Sequence, residues 1–184
     1  MRKIWWVVIA IVVLLVLYVV GVYNALVGKN ETINNQWAQV ETQYQRRLDL
    51  IPNLVESVKG TMKQEQAIFN ALADARTRYA GATTVDQKAT AAGEVETALG
   101  RLLAVVENYP QLKSAENVQT LMAQLEGAEN RVSVERQRFN DAVRNLNVAV
   151  KTFPSNVVAS IAGFSERTYF EAAAGAENAP SVKF

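Results

Sequence analysis

The sequence predicts an all-α protein: an N-terminal transmembrane helix followed by an elongated antiparallel helical bundle with long, partly kinked helices. Three observations lead there. The run from Ile4 to Val20 carries no charged residue and is about long enough for one bilayer span. Downstream of it, apolar residues recur at steps of three and four, which is the helical period. Few residues punctuate that pattern, chiefly Gly81, Pro110 and Pro154, so the helices are few and long. The expected organisation is a membrane anchor over 1–27, a helical bundle over 28–171 and a mobile small-residue tail over 172–184.

The anchor is marked at its ends as well as its middle. Met1-Arg2-Lys3 precedes the apolar run, Trp5 and Trp6 lie near its start, and Tyr18 and Tyr23 lie near its end. Amphipathic aromatic rings favour the two membrane interfaces. A cleaved signal peptide would have a shorter apolar region ending in small residues, whereas bulky residues fill this exit. A buried core helix rarely has every face apolar for so long. Arg2 and Lys3 precede the span and only Lys29, partly offset by Glu31, follows closely, so the positive-inside rule leaves the N-terminus cytoplasmic and the bundle extracytoplasmic.

Beyond the anchor, Ile33, Trp37, Val40, Tyr44, Leu48, Ile51, Val55, Val58 and Met62 fall on one helical stripe, which Phe69, Leu72 and Tyr79 prolong to Gly81. Pro52 interrupts this stretch, removing one hydrogen bond and crowding the preceding turn. Because the stripe keeps its phase across Pro52, one kinked helix from about Glu31 to Ala80, ~75 Å long at ~1.5 Å per residue, is favoured over a chain reversal there. Thr84 and Gln87 have capping-box spacing and open a second helix with Ala92, Val95, Leu99, Leu102, Leu103 and Val106 on one face. It stops at Asn108-Tyr109-Pro110, and Ser114 is placed to cap the next. The third helix carries Val118, Leu121, Leu125, Ala128, Val132, Phe139, Val143, Leu146 and Val150, and ends near Phe153-Pro154. A short apolar segment, Val157 to Phe164, then follows Asn156, which is placed to cap it.

Composition narrows the chemistry. There is no histidine and no cysteine. The usual general base, the thiolate nucleophile, disulfides and nearly every zinc or haem site are therefore absent. Carboxylates are scattered among Lys and Arg, the Glu-x-x-His spacing of bundle metal sites is impossible, and Ser57 and Ser133 have no histidine beside them. With a net charge of +1 and no basic stripe with interleaved aromatics, nucleic acid is not an expected partner. No catalytic residue, cofactor, metal or small-molecule substrate is expected.

Several ordered blocks resemble one family. Tyr23-Asn24-Ala25-Leu26-Val27 and Arg46-Arg47-Leu48-Asp49-Leu50-Ile51-Pro52-Asn53-Leu54-Val55 are followed by Val105-Val106-Glu107-Asn108-Tyr109-Pro110, Glu126-Gly127-Ala128-Glu129-Asn130-Arg131, Arg136-Gln137-Arg138-Phe139-Asn140 and Phe153-Pro154-Ser155-Asn156. Together they look like the bacterial LemA family, over nearly the whole chain to about Phe170. The resemblance implies a single-span protein of the bacterial cytoplasmic membrane with an elongated helical bundle and no established catalytic reaction. It also implies kinship with a magnetosome-membrane branch.

Two sets of polar residues stand out. Arg46, Asp49 and Asn53 share a helical face opposite the main stripe; they form either a solvated face with weak local pairing or a second interface for another copy or another protein. Arg136 falls inside the apolar stripe of the third helix, and Glu41 lies at the edge of the stripe of the first. A Glu41 to Arg136 bond would fix register between the two helices, the alternative being that Arg136 lays its stem along the seam and reaches water. Two functional classes follow. The first is a membrane-tethered interaction, scaffold or assembly module acting on further copies or on other membrane proteins. The second is direct lipid contact through Phe153, Val157, Val158, Ile161, Phe164, Tyr169 and Phe170. If Pro52 only kinks the first helix, three passes leave Phe153 far from the bilayer, which favours the first class; if the chain reverses at Pro52, four helices alternate and Phe153 returns toward the membrane, which revives the second.

Overall fold

A computed structural model describes residues 2–170 of the 184-residue chain. Among them there is no strand. The helices are α1 (Arg2–Lys59), α2 (Gln66–Gly81), α3 (Val85–Glu107), α4 (Pro110–Lys113), α5 (Glu116–Lys151) and α6 (Ser155–Ala162). They form two compact units among the described residues: the first comprises Arg2–Gln39 with Gln137–Tyr169, the second Val40–Arg136 with Phe170. The expected tail over 172–184 lies outside the described residues.

The apolar run and the first bundle helix are one element, since α1 continues unbroken to Lys59 with Pro52 inside it. Pro52 is exposed, so its ring is accommodated at the solvent side of the helix. The chain reverses instead at Gly60–Glu65, where the N–H groups of Thr61 and Met62 both reach the Val58 carbonyl and Glu65 N–H reaches that of Met62. The single helix expected to Ala80 is therefore two. Glycine is a poor helix former. Met62, inside the turn, is fully buried and keeps the apolar phase, which is why periodicity alone does not show the reversal.

In the second unit, contacts set the directions of the helices. Glu41 on α1 meets Lys88 on α3, and farther along both helices Tyr44 and Arg47 meet Glu96, so α1 and α3 run parallel. Arg78 pairs with Glu94 across the α2–α3 turn, and Tyr79 near the end of α2 lies against Tyr44 of α1. Glu129 meets Arg47 while Arg136 lies over Tyr44, so α5 runs antiparallel to α1. The buried centre includes Tyr44, Ile51, Leu54, Leu72, Val95, Leu99, Leu102 and Val132. Each such side chain contributes about 1.5–3 kcal/mol relative to exposure. Leu54 is fully buried and Val55 only partly, because a helix with two neighbours buries two adjacent columns.

The helix ends follow local chemistry. Thr84 and Gln87 form the predicted capping box. Pro110 opens α4, where a missing N–H leaves no helical bond unmade. Ser114 does not cap α5; its hydroxyl donates to the Gln111 carbonyl. Asn156 lies inside α6 rather than capping it, and the single hydroxyl hydrogen of Ser155 is shared between the carbonyls of Ala149 and Thr152, at 2.6 and 2.8 Å.

The first unit joins the start of α1 to the end of α5, α6 and the segment after it. Trp37 meets Phe139 edge-on at 5.4 Å between ring centroids, and Tyr23 meets Phe164 at 6.1 Å. Leu26, Ile33, Val143, Leu146, Val158 and Ala159 are buried. This overturns the expectation that the C-terminal apolar segment caps the far end of the bundle: Phe164 lies against Tyr23 on α1. The extra reversal at Gly60–Glu65 makes the last long helix antiparallel to α1, so it returns toward the residues that mark the end of the span.

Candidate functional site

The N-terminal part of α1 is helix without neighbours. Ile4 to Val20 is exposed throughout, with Trp6 at 71% and even Val19 at 38%. By length and composition this stretch is apolar enough to cross a membrane. Trp5, Trp6 and Tyr18 stand exposed on it, and Tyr23 stands exposed just beyond it.

In the second unit, four charged side chains converge where the apolar stripes meet. Glu96 accepts a bond from the Tyr44 hydroxyl at 3.0 Å, pairs with Arg136, and lies 3.7 Å from the Arg47 guanidinium. Arg47 pairs in turn with Glu129. Arg47 is 7% exposed, and the Arg136 guanidinium lies between the rings of Tyr44 and Phe170, at 5.2 and 4.7 Å. Cation–π attraction and ion pairing act on it together. Burial raises the Glu96 carboxyl to about 7, with the Glu129 carboxylate adding to the rise and Arg47 opposing it. Burial also lowers the Arg136 guanidinium to about 10.

This arrangement corrects the expected Glu41 to Arg136 bond. Arg136 takes Glu96, and Glu41 takes Lys88, which also lies 5.9 Å from the Tyr79 ring. Sequence reasoning missed Arg47 and Glu96. A signal was present: Arg47 stands three residues from Tyr44 and four from Ile51, and Glu96 stands four from Ala92 and three from Leu99. Both are stripe positions.

Arg46, Asp49 and Asn53 are all exposed on the outer face of α1. Asp49 accepts a bond from Gln45 at 2.8 Å, and the Asn53 carbonyl accepts one from Ser57 at 2.8 Å. Pro110 and Pro154 lie at the α3–α4 and α5–α6 turns, as the sequence predicts. No group of three or more carboxylates suited to a metal ion occurs among the described residues.

The end of the first unit is held by a neutral clamp. Asn147, 5% exposed, donates to the Arg167 carbonyl and accepts from the Arg167 N–H, both at 2.9 Å. Lys151 pairs with Glu166 at 2.7 Å, and Arg167 donates to Asn34 at 3.3 Å. Gly163 ends α6 in the left-handed region at φ 77°, and Phe164 N–H reaches back to the Ala159 carbonyl at 2.9 Å. That six-to-one bond is a Schellman closure, and it turns the chain so that Phe164 lies on Tyr23.

The blocks that build this frame match the LemA family model over residues 36–184. The chain belongs to the LemA family. Among its relatives are the magnetosome protein MamQ of Magnetospirillum gryphiswaldense, 31% identical over 174 residues, and the magnetosome proteins MamQ 1 and MamQ 2 of Paramagnetospirillum magneticum, each 30% identical over 175. The matches cover 80% of this LemA-family chain in the first case and 81% in the others. They span 64% of each relative's length. Family and exposed apolar helix together support a membrane-associated bacterial protein.

Proposed function

We propose that this LemA-family chain is a non-enzymatic, membrane-anchored helical-bundle module that gathers further copies of itself or other membrane proteins in the bacterial cell envelope. One observation carries the reading: the same helix, α1, is both the exposed apolar span and a core helix of the bundle. Such a helix fixes a folded domain to a bilayer, and the domain's outer faces are then available for lateral contact. The span lies in the cytoplasmic membrane with the N-terminus in the cytoplasm, following its Arg2 and Lys3. The lack of histidine and cysteine supports a binding rather than a chemical role. So does the mutual pairing of the buried charges Arg47, Glu96, Glu129 and Arg136.

The outer face of α1 carrying Arg46, Asp49 and Asn53 is the contact surface in this reading. Cross-linking in native membranes, read by mass spectrometry, tests it. Links through this face to other copies or to one recurrent membrane protein are the expected result. Charge reversal by Arg46→Glu with Asp49→Lys should remove those links while thermal unfolding stays unchanged. Links that persist unaltered would take the face out of the proposal.

A further inference from the structure

The end of the first unit holds an apolar surface that its own core does not use. Phe153, Val157 and Ile161 are 76%, 50% and 84% exposed. Val157 and Ile161, four residues apart, share one side of α6, and Phe153 lies in the α5–α6 turn just before it. The opposite side of α6 is already satisfied by burial of Val158 and Ala159. α6 contains no charged residue. A helix this short with one buried and one bare apolar side is poorly matched to water.

Its position says what solvent it meets. Trp37 and Phe139 fix the register of the two antiparallel helices. Counting equally along both from that pair, at the same ~1.5 Å per residue, brings Phe153 level with Tyr23. After α6, Phe164 packs on that same Tyr23. Both ends of α6 therefore lie at the level where the apolar span ends, so the helix runs across the direction of α1 rather than along it. Tyr23 is an exposed ring at the exit of the span, the depth at which tyrosines sit among headgroups.

The structure assigns α6 and Phe153 to a second membrane contact: an interfacial patch in which Phe153, Val157 and Ile161 enter the headgroup–acyl boundary of the bilayer that α1 crosses. The occupant is lipid. Continuity with the span argues for it, because a bilayer placed around Ile4–Val20 reaches the patch without any further partner. The inference rests on the membrane-spanning reading of α1 and adds to it a surface that fixes the first unit against the membrane at two places rather than one.

The full chain lacks cysteine, so single-cysteine variants carry one environment-sensitive fluorophore each. Val12→Cys reports the span, Ile161→Cys and Phe153→Cys report the patch, and Val134→Cys reports an exposed bundle position. Each is reconstituted in phosphatidylethanolamine–phosphatidylglycerol vesicles with nitroxide-labelled acyl chains. The two patch labels should shift to the blue and lose about half or more of their emission to the nitroxide, as an interfacial apolar face would, while the Val134 label keeps its water-like spectrum. Patch labels that behave like Val134 while Val12 is quenched overturn the inference and leave the span intact. An unquenched Val12 removes both. Shielding that disappears when protein is diluted in lipid assigns the face to a second copy. Shielding seen only in native membranes assigns it to another protein. Either result overturns lipid contact. Agreement of the two patch positions guards against a local effect of one substitution.

Discussion

The two units of this molecule are held by different chemistry, although α1 and α5 contribute to both. The second unit carries charge inside: Arg47, Glu96, Glu129 and Arg136 share one half-buried cluster with the Tyr44 hydroxyl. The first unit carries the Lys151–Glu166 and Arg144–Asp141 pairs on its exposed surface, buries a neutral amide, Asn147, and adds two edge-on aromatic pairs, Trp37–Phe139 and Tyr23–Phe164. The difference shows two ways of fixing register. Buried charges are costly to desolvate, so they tolerate only an alignment that pairs them, whereas an amide clamp is satisfied without any ionisation. Pairing of the first kind depends on pH, and pairing of the second kind does not.

The comparison breaks most sharply at Glu96. Replacing it by alanine leaves Arg136 without its carboxylate and Arg47 with Glu129 alone. Denaturant unfolding of the second unit should show a loss of about 3–5 kcal/mol, the range for breaking a buried pair. Loss below the level of an exposed substitution would mean that the cluster does not hold the bundle.

A second measurement uses protonation. The Glu96 carboxyl is raised from its usual value to about 7 in the folded chain, so the fold favours the protonated acid. Its contribution to stability is fully present below about 4.5 and is lost as pH rises through about 7, on the order of 1–3 kcal/mol by linkage. Glu96→Gln keeps an acceptor for Tyr44 and Arg136 and should flatten this dependence. Probes in the first unit should follow it weakly.

For the first unit, Asn147→Ala removes both bonds to the Arg167 backbone. The expected cost is about 1–3 kcal/mol, read as faster hydrogen exchange at Arg167 with little change in the second unit. Smallest of all, replacing Arg46, Asp49 and Asn53 by alanine should move stability by no more than about 0.5 kcal/mol, because all three are exposed on the outer face of α1. Their effect belongs to association, measured by cross-linking.

Much of this fold is legible in the sequence because it depends on local pattern. The span, the stripe residues Tyr44, Ile51 and Val58, the Thr84–Gln87 box and the prolines at two turns are all read from spacing and residue type. The turn at Gly60–Glu65 is hidden because Met62 continues the apolar phase through it. The partner of Arg136 is hidden for another reason: Glu41 and Glu96 both lie on or beside stripes, and only the number of chain reversals decides which one α5 meets. Once that number changes, the C-terminal apolar segment changes neighbourhood as well, from a distal cap to the exit of the span.

At Gly163 a methyl group on the α-carbon would meet nothing within 4 Å beyond its chain neighbours, yet the backbone sits at φ 77°. The constraint there is one of handedness and not of size. An L-residue, small or large, is opposed by its own backbone in that region, whereas a D-alanine introduced by semisynthesis would adopt it readily. The placement of Phe164 on Tyr23 thus depends on a stereochemical filter at a single α-carbon, one that no change of side-chain volume could imitate.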